Sequence, residues 1–299
     1  MTEWLISLQG TAEGRQTALW LALLAALFHA VFGALQKGRF GPWATRGAID
    51  AAYCVIAAPF AFFVVPWPEP HMWLIFAGAL VLHTSYKILQ AMAYQRGAYT
   101  VVYPVVRGTG PLFAVLVALV VFNESFSLGQ WLGLGLLVAG IFGLAAYNLR
   151  HVTVDRDTLV PALGLAFLTG IFVAAYTTYD AYGIRATADP FTFLAWFFLL
   201  DGLLMPLVAL PHLRRVARAD VLALMGKGVL GAMVAYISFG SILLATRIGN
   251  VGEAAVLRET STVFAAAIGW FILGESTGPR RVALMGMIAA GAVIVKLAG

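Results

Sequence analysis

Charged side chains stand inside long apolar runs of this sequence, where they can bind a charged solute or one another. Arg107 lies about nine residues into such a run, roughly 14 Å along a helix and close to the middle of a bilayer if the run spans one. A charge at that depth costs about 2.5–3.5 kcal/mol unless it faces a cavity or a partner. We expect Arg107 to contact a solute in a central cavity; the alternative is an ion pair that only holds helices together.

A second arginine occupies the most polar part of any apolar run. Arg258 is followed by Glu259 and by the hydroxyl residues 260–262, and Glu253 precedes it. We expect this stretch to line the same cavity. The alternative is a structural ion pair between Arg258 and a neighbouring carboxylate.

Polar residues also form one stripe along a single predicted helix. His83, Lys87, Gln90 and Tyr94 follow one another at spacings of 4, 3 and 4, so they share one helical face. A face of that polarity cannot point at lipid. Lys87 is then a candidate for binding a substrate anion, and the alternative is that it reaches to the membrane interface near the helix end.

Aromatic residues recur on the runs that carry these charges. They would give a cavity an amphipathic lining on which the apolar part of a solute stacks, whereas the alternative is that they only pack. The candidates are Phe32, Tyr103, Tyr176, Tyr179 and Tyr236.

Three titratable residues are candidates for coupling transport to protons, namely Glu253, Asp201 and His29. Asp201 lies deep in an apolar run, so it is either a carboxylate that exchanges protons or the buried partner of a cavity arginine. The sequence leaves proton coupling and facilitated diffusion equally open.

Two prolines and two glycines surround Arg107 within residues 104–111. Proline removes a backbone donor and glycine loosens the backbone, so we expect this helix to kink or partly unwind there. Gly108, Gly110 and Pro111 are the predicted hinge.

The sequence offers no support for a catalytic or metal-binding site. It has no HExxH motif and no paired cysteine ligands, and its five histidines are scattered. The single cysteine, Cys54, lies in an apolar run and excludes an internal disulfide. We therefore expect no enzyme activity, no cofactor and no metal, and an intramembrane enzyme is the weaker alternative.

The composition is that of a membrane protein. Of 299 residues, 61% are hydrophobic and only 11% charged, against roughly a quarter charged in soluble domains. The mean hydropathy is +0.88. We predict an all-α integral membrane protein whose surroundings are the lipid bilayer, with no nucleic-acid partner.

Apolar runs between helix breakers predict ten membrane-spanning helices. The longest hydrophilic connection, residues 148–158, falls after the fifth of them and divides the chain into 1–150 and 151–299. The predicted helices cover residues 18–36, 47–66, 72–94, 98–121, 128–147, 159–182, 190–210, 221–245, 249–273 and 282–298.

The two halves repeat one another. Residues 107–124 and 258–275 each begin with an arginine and end with a glutamate, and an offset of 151 also pairs Phe113 with Phe264 and Gly140 with Gly291. Because each half has an odd number of predicted helices, the second must enter the membrane from the opposite side. The sequence therefore predicts two inverted five-helix repeats, a common construction of secondary transporters.

Loop charges predict the orientation. Eleven cations, Arg46 among them, follow the odd-numbered helices, whereas the other side has only Arg15, Arg185, Arg247 and Lys296. The positive-inside rule then places both termini outside the cytoplasm. Residues 1–17 are polar, so we expect no cleavable signal peptide.

The corners Asn123-Glu124-Ser125 and Gly274-Glu275-Ser276, each between two apolar runs of a ten-helix, two-half chain, resemble the EamA-like branch of the drug/metabolite transporter superfamily. The resemblance covers nearly the whole chain. It implies alternating access around a cavity walled by helices 1, 3, 4, 6, 8 and 9, and frequent export of small metabolites. One departure is that Pro104 and Pro111 have no proline at the matching positions of the second half.

Three cations on helices expected to wall one cavity, Lys87, Arg107 and Arg258, favour an anionic or zwitterionic substrate, such as an amino-acid-like metabolite. We expect a monomeric secondary transporter that exports it across the inner membrane, with protons as a candidate coupling ion. The alternatives are an exporter of cationic or aromatic drugs and a channel or lipid-handling scaffold.

Overall fold

The structure, a computed structural model, describes residues 2–36, 40–97, 99–151, 156–271 and 278–299. All regular elements within these ranges are helices, as predicted. The second corner, with Glu275 and Ser276, lies outside the described residues, as do the loop cations Lys37 and Arg39.

Long apolar helices make up most of the described chain. Eight segments are long and apolar enough to cross a membrane, and α8 and α9 together form one of them, Pro190–Val208. The helices are α1 (Thr2–Ser7), α2 (Ala12–Gln36), α3 (Gly41–Phe63), α4 (Met72–Arg96), α5 (Tyr99–Val121), α6 (Leu128–His151), α7 (Arg156–Ala186), α8 (Pro190–Asp201), α9 (Leu204–Val208), α10 (Leu210–Leu213), α11 (Arg218–Ile248), α12 (Val251–Arg258), α13 (Ser261–Phe271) and α14 (Pro279–Leu297).

Two of the ten predicted spans are not continuous helices long and apolar enough to cross a membrane, and the structure shows why. The ninth is interrupted between α12 and α13, and α14 carries Arg280, Arg281 and Lys296 within its 19 residues. The count of ten therefore stays a prediction.

The predicted helix at 190–210 is broken in the structure. The break follows Asp201, at Gly202, whose backbone lies so close to α3 that a Cβ there would meet the Asp50 carbonyl oxygen at 2.5 Å. Glycine alone permits that approach, and it brings Asp201 to α3 and α4.

The unwinding expected around Arg107 is not observed. α5 is one helix from Tyr99 to Val121 through both prolines, and Gly108 and Gly110 allow close packing of α5 on α6 and α7. The interruption lies in the corresponding part of the second half, where α12 ends at Arg258 and α13 begins at Ser261. The hinge at Gly108, Gly110 and Pro111 thus stays a prediction, without a break in the backbone to support it.

Small residues set the helix spacing. Lipid is as apolar as leucine, so helices in a bilayer associate through close packing at small side chains. α6 and α14 meet at Gly133 and Gly291, where an added Cβ on Gly133 would lie 2.8 Å from the Gly291 carbonyl oxygen. A second apolar cluster, which includes Phe32, Tyr53 and Phe197, surrounds the buried charges described next.

Candidate functional site

Buried charges of alternating sign link α3, α4 and α8. Arg46 contacts Asp50 at 2.9 Å, and the Lys87 ammonium contacts Asp50 at 2.5 Å and the Asp201 carboxylate at 2.9 Å. Lys87 also donates to the Asp201 backbone carbonyl at 2.9 Å. Lys87 is only 1% exposed, so it is a fully paired interior cation and does not reach to the interface.

His83 extends this chain of charges to α7. Its Nε2 lies 2.7 Å from Asp180 Oδ2, and its Nδ1 lies 3.6 Å from Asp201 Oδ1. We call these six residues, Arg46, Asp50, Lys87, Asp201, His83 and Asp180, the charge chain. Two cations face three carboxylates in it, so the chain carries one net negative charge unless His83 holds a second proton.

Arg107 belongs to a second buried group. It pairs with Glu259 at 2.8 Å and donates to Ser261 Oγ at 3.0 Å and to the Arg258 carbonyl at 3.4 Å. Arg107 also lies 3.3 Å from His29 Nε2, and because a guanidinium can only donate, that nitrogen must accept. The neutral His29 ring then carries its proton on Nδ1, a buried atom with no hydrogen-bond partner.

The contacts of Arg107 with Glu259 and Ser261 lie at the interruption between α12 and α13. This interruption contains neither proline nor glycine, and the Glu259 and Thr262 amides close it with tight turns to Val256 and Glu259. Glu259 and Ser261, on either side of the interruption, both contact Arg107.

Arg258 is less completely paired than the other two predicted cations. Its Nη2 donates to Thr177 Oγ1 at 3.1 Å, but its buried Nε has no partner. Arg258 lines a small cavity of about 10 Å³ together with Tyr176, Thr177 and Asp180. The Tyr176 hydroxyl and Asp180 Oδ1 are likewise buried without partners. A cation and a carboxylate that line this cavity therefore each have one buried atom without a hydrogen-bond partner.

Other predicted site residues lie near these groups. Gln90 donates to the Tyr86 hydroxyl at 2.7 Å and approaches the Tyr94 hydroxyl at 3.5 Å. The Arg107 guanidinium carbon lies over the Tyr103 ring, 6.0 Å from the ring centroid. Phe32 is buried beside His29. This contact does not decide whether Phe32 stacks on a substrate or only packs.

Three predicted residues lie elsewhere. Tyr179 is half-buried and packs against the exposed Tyr182, and the Tyr236 hydroxyl donates to the Tyr53 carbonyl at 2.7 Å. Glu253 pairs with Lys296 at 2.7 Å, in a different cavity from the one beside Arg258.

Sequence reasoning missed Asp50 and treated Arg46 as a loop cation. Both belong to α3, which begins at Gly41 and not at residue 47. The dipeptide Gly41-Pro42 is a helix-start signal, since proline is favoured in the first turn. Starting the helix there places Arg46 and Asp50 one turn apart, at the spacing of an ion pair.

The first corner caps a helix of the other half. Glu124 accepts hydrogen bonds from the Val251 amide at 2.6 Å and the Gly252 amide at 2.9 Å, at the start of α12. Burial raises the pKa of the Glu124 carboxyl above its ordinary value, against the lowering effect of these amides and of Arg185. Asn123 turns the chain with φ of 51°, in the left-handed region that asparagine tolerates. The corner is therefore an anchor between the halves.

Comparisons with known proteins agree with this architecture. The sequence model of the EamA-like transporter family matches residues 16–146 and 160–297. An uncharacterized transporter of Bacillus subtilis (strain 168), YdfC, is 25% identical over 189 residues, which cover 62% of this chain and 58% of that protein. This chain thus spans less than two thirds of that relative.

A solved structure described only as "Crystal structure of protein" has the same fold. It superposes with a TM-score of 0.73 at 18% identity, over 95% of this chain and 98% of the other. At that identity the likeness concerns the fold alone.

Proposed function

We propose, from the premise that this chain belongs to the EamA-like transporter family, that it moves a small zwitterionic or anionic organic metabolite across the inner membrane by alternating access, in the export direction. The family and the matched relative are transporters, so the chain is a multi-pass membrane transporter of small molecules. The substrate class rests on one observation. Arg258 Nε and Asp180 Oδ1 are buried without hydrogen-bond partners, and both residues line one cavity.

A zwitterion satisfies both groups at once. A buried polar group without a partner loses the free energy of its hydration, and this loss is larger for a charged group. A substrate carboxylate at Arg258 and an ammonium at Asp180 would restore both contacts, and the Tyr176 hydroxyl offers a third. An amino-acid-like metabolite carries these two charged groups on one carbon atom.

The other two predicted cations are already neutralised. Lys87 lies between two carboxylates and Arg107 faces Glu259, so a substrate anion would have to displace an existing ion pair. We propose that Lys87 and Arg107 position the walls of the site, and that Arg258 supplies the direct contact. Phe32, Tyr103 and Tyr176 would then meet the apolar part of the substrate.

Alternating access is supported by how the helices pack. α2 packs on α11, α12 and α13, and α7 packs in the same way on α4 and α5. Under the offset of 151 these helices correspond, so exchanging the halves, 1–150 and 151–299, reproduces the contacts. A pair of inverted repeats related by an in-plane two-fold axis would pack in this way.

The proposed site is too small for a substrate in this structure. A volume of about 10 Å³ holds no more than one water, so a substrate requires the cavity to open. The interruption at Glu259 and Thr260 adjoins the site, and it is a place where α12 and α13 could change their relative angle. The proposed hinge in α5 would act from the opposite wall.

The proposed orientation keeps both termini outside the cytoplasm. Arg46 no longer counts as a loop cation, since it is buried in α3, but ten cations still oppose four. The protein would act as a monomer, with protons as the candidate coupling ion.

Export of cationic drugs is the second candidate. The net negative charge of the charge chain favours it, whereas the incompletely paired Arg258 opposes it. Thermal unfolding of the purified protein separates the two, because a ligand that binds the folded state raises its stability. We expect zwitterionic amino acids to stabilise the wild type and not the Arg258→Gln variant. Arg280→Gln, an exposed change on α14, is the control. Stabilisation by quaternary amines alone would overturn the proposal.

A further inference from the structure

Four cations gather around one cavity at the membrane end where α1 and the end of α14 lie. The cavity has a volume of about 400 Å³, and Arg15, Arg185, Arg247 and Lys296 line it together with the carboxylate of Glu253. These are the four cations that stand apart from the positive loops in the sequence.

Most of this positive charge is not neutralised by carboxylates. Arg185 donates to the backbone carbonyls of Thr246 and Gly249 at 2.9 and 2.7 Å, and Arg247 donates to the Arg185 carbonyl at 3.1 Å. Carbonyl acceptors orient a guanidinium but do not neutralise its positive charge. Lys296 has a close ion pair in the cavity, with Glu253, and Glu124 approaches Arg185 only to 3.9 Å. The cavity therefore carries net positive charge.

An apolar groove continues from this cavity along the outside of the helices. It has a volume of about 350 Å³ and lies against α2, α13 and α14, and it shares Leu19, Leu257 and Lys296 with the cationic cavity. Apart from Lys296, its one polar lining residue in the described chain is Thr260, whose hydroxyl already donates to the Leu257 carbonyl at 2.7 Å. The groove thus offers apolar contact and no spare hydrogen bond.

We propose that cavity and groove together form a binding site for one anionic phospholipid. Its phosphodiester would lie among Arg15, Arg185, Arg247 and Lys296, and one acyl chain would fill the groove. Basic pockets between membrane helices bind acidic lipid head groups, and a surface cation contributes about 1 kcal/mol to such attraction. A small soluble anion would use the cavity alone, whereas the junction of cation and groove at Lys296 matches a molecule with a charged head and an apolar tail.

The acyl chain would touch the moving part of the protein. Leu257 and Thr260 line the groove, and they flank Arg258 and Glu259 on the chain. A bound lipid would therefore hold α12 and α13 at the angle that this structure shows. The lipid site itself does not depend on the identity of the transported substrate.

Thermal unfolding in detergent with added lipid tests the proposal. We expect dioleoylphosphatidylglycerol to raise the unfolding temperature, dioleoylphosphatidylcholine to raise it much less, and inorganic phosphate to leave it unchanged. The double variant Arg15→Gln, Lys296→Gln should need roughly tenfold or more phosphatidylglycerol for half of the shift. The double variant Arg218→Gln, Arg280→Gln removes two exposed cations elsewhere and is the matched control for charge.

A second variant tests the groove without touching a charge. Val293 lines the groove and is 54% exposed, so Val293→Trp should fill it and weaken phosphatidylglycerol binding. Val282→Trp, 44% exposed at the other end of α14, is its control. The proposal is overturned if both lipids shift the unfolding temperature equally, or if phosphate alone gives the same shift as phosphatidylglycerol. It is also overturned if the double variant Arg15→Gln, Lys296→Gln or Val293→Trp keeps the lipid dependence of the wild type.

Discussion

Asp180 contacts His83 through one carboxylate oxygen at 2.7 Å, its other oxygen is buried without a partner, and the residue lines the same cavity as Arg258. One side chain therefore joins the charge chain to the proposed substrate site. A substrate ammonium at Asp180 and a second proton on His83 would each bring the charge chain to neutrality. Electrostatics thus favours one or the other, and not both.

The His83→Gln variant tests whether protons and substrate exchange. Glutamine keeps a hydrogen bond to Asp180 but cannot carry a proton, so net transport driven by a pH gradient should be lost. Exchange of labelled for unlabelled substrate should persist, because it needs no net proton movement. In proteoliposomes, an enclosed pH-sensitive dye measures proton movement, and loss of enclosed labelled substrate measures the exchange. Retained gradient-driven transport in the variant would leave Asp201 or His29 as the coupling residue. No gradient-driven transport in the wild type would indicate facilitated diffusion.

Lys87→Ala should be among the most destabilising single changes in the chain. It leaves Asp50 and Asp201 buried without their shared cation, and breaking a buried ion pair costs about 3–5 kcal/mol. Denaturation of the purified protein in mixed micelles measures the loss. The exposed Arg218→Ala serves as control and should change stability by no more than about 1 kcal/mol. A loss that small for Lys87→Ala would contradict the pairing described here.

Glu124→Ala should loosen the anchor between the halves. The side chain accepts two amide hydrogen bonds at the start of α12, and loss of a helix cap costs about 0.5–2 kcal/mol. Hydrogen exchange of the Val251 and Gly252 amides should accelerate in the variant. Glu3→Ala, on the exposed face of α1, should leave those amides unchanged, and equal protection in both variants would refute the cap.

The orientation is testable with cysteine labelling. In a Cys54→Ala background, Val216→Cys should resist a membrane-impermeant thiol reagent in intact cells, and Ser7→Cys should react, because cationic loops stay in the cytoplasm. The opposite pattern would reverse the orientation. If neither cysteine reacts, the experiment shows only that both positions are shielded from the reagent.

Sequence patterns predicted the helices far better than the pairing within the site. Apolar length and breakers identify α2 or α6, since a bilayer demands about 20 apolar residues. The polar stripe correctly marked His83 and Lys87 as facing the protein interior. No local pattern, however, says that Lys87 meets Asp50, because that contact depends on where α3 starts and on how closely Gly202 lets α8 approach.

The unwinding expected in α5 is not observed for a related reason. Proline and glycine were interpreted as weakening the helix, yet Gly108 and Gly110 serve close packing, and α5 stays continuous. The interruption occurs instead where Glu259 and Ser261 bond to Arg107. Its cause lies in tertiary contacts, which a single helix sequence does not contain.

The most direct test of the proposed site compares three competitors of one labelled amino acid, namely the intact zwitterion, its decarboxylated amine and its deaminated acid. The wild type should prefer the zwitterion over both analogues. Arg258→Gln should lose only the preference for the zwitterion over the amine, and Asp180→Asn should lose only the preference for the zwitterion over the acid. Each preference corresponds to about 2–5 kcal/mol in binding free energy. If both variants keep the wild-type order of preference, Arg258 and Asp180 do not bind the substrate.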